Sequence, residues 1–221
     1  MLDKSNINFA SNLRHFIALY KVVREREGYL SNEAKIVQYG AVLHYFTKFL
    51  KSNETNSVAL RTILYQVNVK LGDIYYEEAL QNQDNGRYFL ATAYYGQALS
   101  YARQTIEKNR VLTALKNVYY YLDDEEALVK VEETWAENHD KKDRFSAYMY
   151  LAQNTEQPQV KTIFLAKALD EVMEQDESFY TKYQDTLDIC SQLIVLYGLL
   201  GEKNKAEQIA NLRKETLKLL N

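Results

Sequence analysis

Apolar residues recur at spacings of three and four along almost the whole chain, whereas strict alternation of apolar and polar residues is hard to find. This pattern is typical of amphipathic helices rather than strands. We therefore predict ten helices, joined by short turns into five antiparallel hairpins. Their approximate bounds are 8–27, 32–52, 56–82, 87–108, 109–122, 124–138, 141–154, 158–175, 178–200 and 203–220.

Several helix ends carry their own local signal. Gly28 and Gly201 follow predicted helices and suit the left-handed backbone position there. Asp123, with Glu126 three residues later, forms an N-terminal capping pattern. Pro158 fits the first turn of a helix, where its missing N–H is not needed.

Three segments share a frame in which a leucine is followed four residues later by a tyrosine. They are Leu71-Gly72-Asp73-Ile74-Tyr75, Leu115-Lys116-Asn117-Val118-Tyr119 and Leu193 to Tyr197. In the second segment, a short turn leads to Glu126-Ala127-Leu128. This arrangement resembles the tetratricopeptide repeat family, and the resemblance covers about residues 60–220.

The resemblance implies an all-α fold, an α-solenoid of about five antiparallel helix hairpins in a right-handed superhelix. One hairpin cannot bury its apolar face alone, but stacked hairpins bury a continuous core and leave a concave groove lined by their first helices. We expect a single repeat domain over residues 1–221, with a divergent N-terminal hairpin at 1–55 and repeat-like hairpins at 56–221.

Aligning the first helices on the shared frame carries the family's groove positions onto this chain. The expected partner-binding residues in the second and third hairpins are Gln66, Asp73, Tyr76, Glu77, Arg110, Asn117, Tyr120 and Tyr121. Val69 and Thr113 stand where some family members have the lysines that clamp a C-terminal carboxylate. In the fifth hairpin, the groove positions are Asp188, Ser191, Val195, Gly198 and Leu199.

Nineteen tyrosines are the outstanding compositional feature of the chain. Tyr75, Tyr95, Tyr119 and Tyr197 occupy positions that the repeat uses for packing between helices. Tyr120 and Tyr121 are rotated by roughly 100–200° from Tyr119 around the helix, so the three rings cannot all face one core. Asn117 shares the face of Tyr121, and its amide can donate to and accept from a peptide backbone. With Asp73 and Glu77 nearby, we expect a bound segment with an apolar and a basic side chain.

Composition and charge exclude several classes of protein. Hydrophobic residues make up 47% and charged residues 26%, which argues against wholesale disorder. The start of the chain lacks the pattern of a secretory signal, and no apolar run is long enough to span a bilayer, so we expect a cytoplasmic protein without membrane insertion. The net charge is −3, and residues 122–181 are markedly acidic, which disfavours nucleic acid as a partner.

No motif that supports catalysis or cofactor binding is present. The three histidines lack metal-ligand spacing, and phosphate-binding Gly-rich loops and nucleophile motifs are absent. Cys190, the only cysteine, lies in an apolar run, where a packed thiol is expected. We predict no enzyme activity, no cofactor and no metal.

Three functional hypotheses remain open. The first is a non-catalytic scaffold or adaptor that binds a protein or peptide in its groove. The second is the ligand-sensing domain of a peptide-responsive regulator that lacks its own DNA-binding domain, since residues 1–60 are only weakly basic. The third is a structural subunit that forms a homo-oligomer through the C-terminal helix, with the apolar stripe Ile209, Leu212, Leu217 and Leu220 as its interface.

Overall fold

The computed structural model describes residues 4–53, 58–174 and 179–220, and these residues form ten α-helices, one short 3-10 helix and no strand. The all-helical prediction is therefore confirmed for the described chain. The helices are α1 (Lys4–Arg26), α2 (Asn32–Asn53), α3 (Val58–Asn82), α4 (Asn85–Tyr101), α5 (Thr105–Leu122), α6 (Glu125–Glu137), α7 (Lys141–Gln153), α8 (Pro158–Glu174), α9 (Phe179–Leu199) and α10 (Lys203–Leu220). The predicted helix ends at residues 56, 175 and 178 lie outside the described residues.

The largest error in the predicted helix bounds lies between α4 and α5. The predicted junction falls at residues 108 and 109, but α4 ends at Tyr101 and α5 begins at Thr105. Gln104 and Glu107 form a capping box, and the Glu107 carboxylate accepts hydrogen bonds from the backbone N–H groups of Arg103 and Gln104 at 2.8 and 3.2 Å. This cap satisfies helix-end donors and fixes the start of α5.

The predicted helix ends have mixed outcomes. α8 begins at Pro158, and Gly201 has a φ of +74°, as predicted. The prediction for Gly28 is wrong, because this residue lies inside the 3-10 helix Glu27–Tyr29 and its φ is not positive.

The turn between α5 and α6 is shifted by one residue from its prediction. Asp123 adopts a left-handed conformation, with φ of 55°, and ends α5. Asp124 provides the cap of α6, where its side-chain oxygen accepts from the backbone N–H of Ala127 at 3.1 Å. An aspartate tolerates the left-handed region better than most residues, so Asp123 can end α5 in this conformation.

The chain divides into two compact units, Met1–Leu128 and Val129–Asn221, and the boundary falls inside α6. We call them unit 1 and unit 2. The expected extent of a single domain over residues 1–221 stays a prediction, and the expected boundary at 55 and 56 lies outside the described residues.

In unit 1, each helix from α1 to α5 packs against the next one along the chain. The core is built from buried side chains of α1, α2 and α3, with rings of α4 packed against it. Its largest fully buried members include Tyr39, Phe46, Leu60, Leu64 and Leu71. α3 is buried along most of its length, because it has α2 on one side and α4 on the other.

A close contact between α3 and α4 depends on a glycine. A β-carbon placed on Gly72 would lie only 2.6 Å from the ring of Tyr95. Tyr95 itself is 2% exposed, which confirms its predicted packing position. The missing side chain at Gly72 therefore provides the space in which the Tyr95 ring lies against α3.

In unit 2, α7 to α10 pack in the same sequential order, and their buried residues form a separate core. Tyr148, Phe164, Leu165 and Leu193 are almost completely buried there. The only tryptophan, Trp135, packs against this core, and Cys190 is fully buried within it. Unit 2 therefore contains both a single indole and a single thiol.

None of the described helices combines the length and apolar character needed to cross a membrane.

Candidate functional site

The predicted groove residues of α3 lie along one side of that helix. Leu71 and Ile74 are buried in the core, whereas Gln66, Asp73 and Tyr76 are half-buried. Glu77 and the other predicted positions recur at spacings of three and four residues, which place them on a common face. Glu77 is exposed, and Val69 is buried within this face.

The predicted residues of α5 form an exposed stripe opposite its buried side. Val111, Leu112, Leu115 and Val118 are buried. As on α3, the predicted residues of α5 recur at spacings of three and four residues. They are Arg110, Thr113, Asn117, Tyr120 and Tyr121, and all of them are exposed. Tyr120 is 71% exposed, the highest value among the tyrosines of this stripe.

Side chains of α3 and α5 meet at two places. The Arg110 guanidinium lies 3.5 Å from a carboxylate oxygen of Asp73. Further along both helices, the rings of Tyr76 and Tyr121 have centroids 6.1 Å apart. The residue numbers rise in the same direction in both pairs, so the two helices present their predicted residues side by side. We call this surface, from Gln66 to Glu77 on α3 and from Arg110 to Tyr121 on α5, the first-helix face.

Asp73 has two partners in this arrangement. Besides the ion pair with Arg110, its second oxygen accepts a hydrogen bond from the Tyr95 hydroxyl at 2.8 Å. Burial and the adjacent Asp73 carboxylate raise the pKa of Tyr95, so its phenol stays a neutral donor. The charge of Asp73 is therefore compensated within the protein, which weakens the expectation that Asp73 attracts a basic side chain of a partner.

A cavity of about 150 Å³ opens beside the first half of the first-helix face. It is lined by Tyr20, Arg24, Tyr65, Gln66, Val69, Lys70 and Arg110. We call it the cationic cavity, because its charged lining residues are one lysine and two arginines. Gln66 and Arg110 come from the predicted set, so the predicted positions form part of a real concavity.

Hydrogen bonds fix the walls of the cationic cavity. The Tyr20 hydroxyl donates to the side-chain oxygen of Gln66 at 2.7 Å and joins α1 to α3. The Tyr65 hydroxyl donates to the backbone carbonyl of Glu107 at 3.2 Å and joins α3 to α5. Lys70 forms an ion pair of 2.9 Å with Glu27. Burial opposes ionisation of Glu27, but hydrogen bonding and attraction from Lys70 outweigh it and lower the pKa of this carboxyl.

Four tyrosines gather at the other end of the first-helix face. The rings of Tyr88 and Tyr121 are stacked, with centroids 5.6 Å apart, and Tyr76 lies tilted against both. Tyr120 meets Tyr121 edge-to-face at 5.7 Å. We call Tyr76, Tyr88, Tyr120 and Tyr121 the tyrosine cluster. It combines a packed interior with two largely exposed rings, which suits contact with an apolar or aromatic side chain.

Five residues of the cationic cavity and the tyrosine cluster are not among the predicted groove positions, namely Tyr20, Arg24, Tyr65, Lys70 and Tyr88. Tyr20 and Arg24 belong to α1, where the repeat frame is not matched, although their spacing of four places them on one face. Tyr65 and Lys70 lie on α3 next to the aligned positions Gln66 and Val69. Tyr88 lies in the first turn of α4, the second helix of its hairpin, which the repeat frame does not assign to the groove. Only the charge and aromatic character of these residues could have marked them.

The predicted packing tyrosines differ in burial. Tyr95 and Tyr197 are buried, at 2% and 9% exposure. Tyr75 is half-buried and stacks on Tyr94 with centroids 5.4 Å apart. Tyr119 is also half-buried. These differences matter for mutagenesis, because truncation of Tyr95 removes more buried surface than truncation of Tyr119.

In unit 2, the predicted groove positions of α9 form a separate surface. Asp188, Val195, Gly198 and Leu199 are exposed, with Val195 at 61% and Leu199 at 73%. The Ser191 hydroxyl accepts a hydrogen bond from Arg213 at 3.0 Å. These residues add exposed apolar surface to unit 2.

A larger cavity of unit 2, about 400 Å³, has a different lining. It lies between α8 and the junction of α9 with α10. Lys167 and Lys205 contribute positive charge, and Asp170 and Glu202 contribute negative charge. Glu202 and Lys205 form an ion pair with each other. Both signs are therefore balanced within the lining.

The apolar stripe predicted for self-association through α10 is partly used inside unit 2. Ile209 and Leu212 pack against the unit 2 core. Leu217 and Leu220 are half-buried, and the neighbouring Leu219 is 56% exposed. Little of the predicted stripe is available for another chain.

The described part of the chain contains no group of three His, Cys, Asp or Glu side chains with metal-binding geometry. The ring of His139 lies against Trp135, with centroids 4.4 Å apart, and its Nδ1 lies 2.9 Å from the Trp135 carbonyl oxygen.

No model of a known protein family matches the chain, and no curated protein sequence shows significant similarity to it.

Proposed function

We propose that the chain is a non-catalytic scaffold of the tetratricopeptide type, which binds a peptide or an extended protein segment on the first-helix face of unit 1. The observation that carries this proposal is that residues which the same repeat frame selects on two different helices lie next to each other in the fold. The repeat frame selects Asp73 and Tyr76 on α3 and Arg110 and Tyr121 on α5, and these residues are neighbours across the two helices. Residues chosen without a common frame would not be expected to pair twice.

The chemistry of the face supports a peptide ligand. Asn117 is exposed in the middle of the stripe, between the cationic cavity and the tyrosine cluster. Its amide can satisfy both a donor and an acceptor of an extended backbone. Tyr120 and Tyr121 supply large amphipathic rings with few rotatable bonds, a property that favours binding surfaces because little side-chain entropy is lost.

The sequential packing of the helices supports the wider architectural proposal. Among the described residues of each unit, the helix pairs with the most extensive backbone contact are neighbours along the chain. This order of packing is expected of stacked helix hairpins, in which each hairpin contacts only the adjacent ones. The α-solenoid with a right-handed array is the arrangement that we propose on this basis.

A selection of displayed random peptides on the purified chain tests the function. We expect enriched peptides whose affinity falls about tenfold in Asn117→Ala and in Tyr120→Ala, as for residues that contribute strongly to an interface. Binding would be measured by fluorescence anisotropy, and circular dichroism would show that both variants keep their helical content.

Matched controls exist on other surfaces. Asn211→Ala on α10 and Tyr29→Ala, at a ring that is 92% exposed, should leave affinity unchanged. If no peptide is enriched, or if enriched peptides bind all four variants equally, the first-helix face is not the binding site.

A further inference from the structure

The cationic cavity has an excess of positive charge. Arg24, Lys70 and Arg110 line it, and no carboxylate is among its lining residues. At its edge, Glu27 forms an ion pair with Lys70, and Asp73 forms one with Arg110. A third carboxylate, that of Glu107, acts on the lining residue Tyr65 but accepts hydrogen bonds from the backbone N–H groups at the start of α5. Among the described residues, Arg24 is therefore the lining cation that has no carboxylate paired with it.

The neighbouring surface does not remove this excess. A shallower cavity on α1, which shares Tyr20 and Arg24, is also lined by Lys21 and Glu25. These two residues add one charge of each sign. The Arg24 side chain interacts with the phenol of Tyr20, which burial keeps in its neutral form by raising the Tyr20 pKa. A carboxylate from a ligand can therefore pair with Arg24 in this cavity.

The size of the cavity fits such a group. About 150 Å³ corresponds to roughly five water molecules at about 30 Å³ each. The carboxylate end of an aspartate, a glutamate or a chain terminus occupies less than this volume. Arginine guanidinium groups bind carboxylates through paired N–H donors, so Arg24 and Arg110 have suitable chemistry.

The separation between the cavity and the tyrosine cluster sets a spacing in the ligand. The cluster begins about eight residues beyond the middle of the cavity on α3, and about ten residues beyond Arg110 on α5. At a rise of about 1.5 Å per helical residue, these offsets correspond to about 12–15 Å. An extended peptide covers about 3.3 Å per residue, so four or five residues span this distance.

We propose that the ligand of this face is a peptide segment with two anchors, a carboxylate held in the cationic cavity and an aromatic or large aliphatic side chain, four or five residues away, on the tyrosine cluster. This inference rests on the proposed function and deepens it. Asn117 lies between the anchors and binds the intervening backbone. The cations of the cavity come from positions other than Val69 and Thr113, so the site is not the lysine clamp that the sequence lacks.

The displayed-peptide selection tests the two-anchor ligand. Enriched peptides are expected to contain an acidic side chain, or a free C-terminus, four or five residues from an aromatic or large aliphatic residue. Their affinity should fall about tenfold in Arg110→Gln and in Arg24→Gln, since a charged hydrogen-bond partner is lost. Arg14→Gln, at an exposed arginine of α1 outside the cavity lining, is the matched control and should bind normally.

Peptide variants locate the source of the carboxylate. A selected peptide would be made with each acidic side chain replaced by its amide, and separately with an amidated C-terminus. The modification that removes the anchoring carboxylate should reduce affinity for the wild-type protein about tenfold and have little further effect in Arg110→Gln. Loss with the side-chain amide identifies an internal acidic residue, and loss with the terminal amide identifies a chain end.

The outcomes separate the two proposals. Peptides that require Asn117 and Tyr120, but bind Arg24→Gln and Arg110→Gln with full affinity, would overturn the carboxylate anchor and leave the proposed function intact. Peptides that require none of these residues would overturn both. Concentration-dependent doubling of the mass in light scattering, abolished by Arg110→Gln, would show that a second copy of the chain occupies the cavity instead of a separate peptide.

Discussion

Units 1 and 2 are both built from sequentially packed helices, but they use tyrosine and charge differently. Fourteen of the nineteen tyrosines lie in residues 1–128. All charged lining residues of the cationic cavity in unit 1 are cations, whereas a cavity of about 400 Å³ in unit 2 is lined by two lysines and two carboxylates. Unit 1 is therefore distinguished by the cations of this lining and by the exposed rings of Tyr120 and Tyr121, and not by cavity volume.

Alkaline pH should produce the largest difference between the units. Burial raises the pKa of eight tyrosines in unit 1, namely Tyr20, Tyr39, Tyr65, Tyr75, Tyr76, Tyr88, Tyr95 and Tyr119. In the described part of unit 2, burial and nearby glutamates raise the pKa of Tyr148 to about 12. A raised pKa means that the folded state retains protons that the unfolded chain releases above about pH 10. Stability is therefore full below pH 10 and falls as the pH rises towards 12.

We expect unit 1 to unfold first in an alkaline titration, because it contains most of the affected phenols. Circular dichroism would follow the helices of the whole chain, and the emission wavelength of Trp135 would follow unit 2. A helical loss that precedes the Trp135 transition agrees with the comparison. Coincident transitions, or full stability up to pH 12, would contradict it.

Tyr95→Ala should have the next largest effect. It removes a ring that is 2% exposed, empties the space beside Gly72 and deletes the hydrogen bond to Asp73. Truncation of a buried aromatic side chain costs about 3–5 kcal/mol of folding free energy. Urea unfolding followed by circular dichroism would measure this loss. The two cores contain different residues, so the Trp135 transition should move by less than about 0.5 kcal/mol. An equal shift of both signals would show that the units unfold together.

Gly201→Ala should act on unit 2 with a smaller magnitude. Gly201 has a left-handed φ of +74°, and apart from its chain neighbours no residue has an atom within 4 Å of the position that a β-carbon would take. The cost is therefore one of backbone conformation rather than collision, about 1–2 kcal/mol. The Trp135 transition should report it in urea. Gly198→Ala is a useful control, since it also has open space but no positive φ. Equal effects of the two substitutions would exclude the backbone explanation.

The sequence predicts the helices well, because their apolar spacing extends over many residues and reflects burial directly. The α4–α5 junction was missed because Gln104 and Glu107 form a polar capping box within an apparently continuous helical pattern. Gly28 was misassigned since glycine is compatible with several turn geometries, and a 3-10 helix formed there. Local polar contacts of this kind depend on the position of neighbouring elements.

The candidate site was predictable only in part. Residues on the repeat frame, such as Asp73 and Tyr121, were found because helical periodicity relates them to packing residues. The frame gave no information about α1, so Arg24 was missed. Nor does spacing along one helix reveal that Asp73 is already paired with Arg110 and Tyr95, because these contacts bring together residues up to 37 positions apart in the sequence. Whether a charged side chain is already paired within the protein depends on the tertiary structure and cannot be read from the sequence.

Cys190 carries the only thiol of the chain, and the rate at which it is labelled can report how often unit 2 opens. This side chain is fully buried, and burial raises its pKa, so the reactive thiolate is scarce in the closed state. A thiol reagent can modify it only when the surrounding helices separate. The labelling rate in native buffer therefore equals the opening equilibrium multiplied by the intrinsic rate for an exposed cysteine, when closing is faster than labelling. Unit 2 can thus be followed by chemistry at one atom, without denaturant and without any engineered probe.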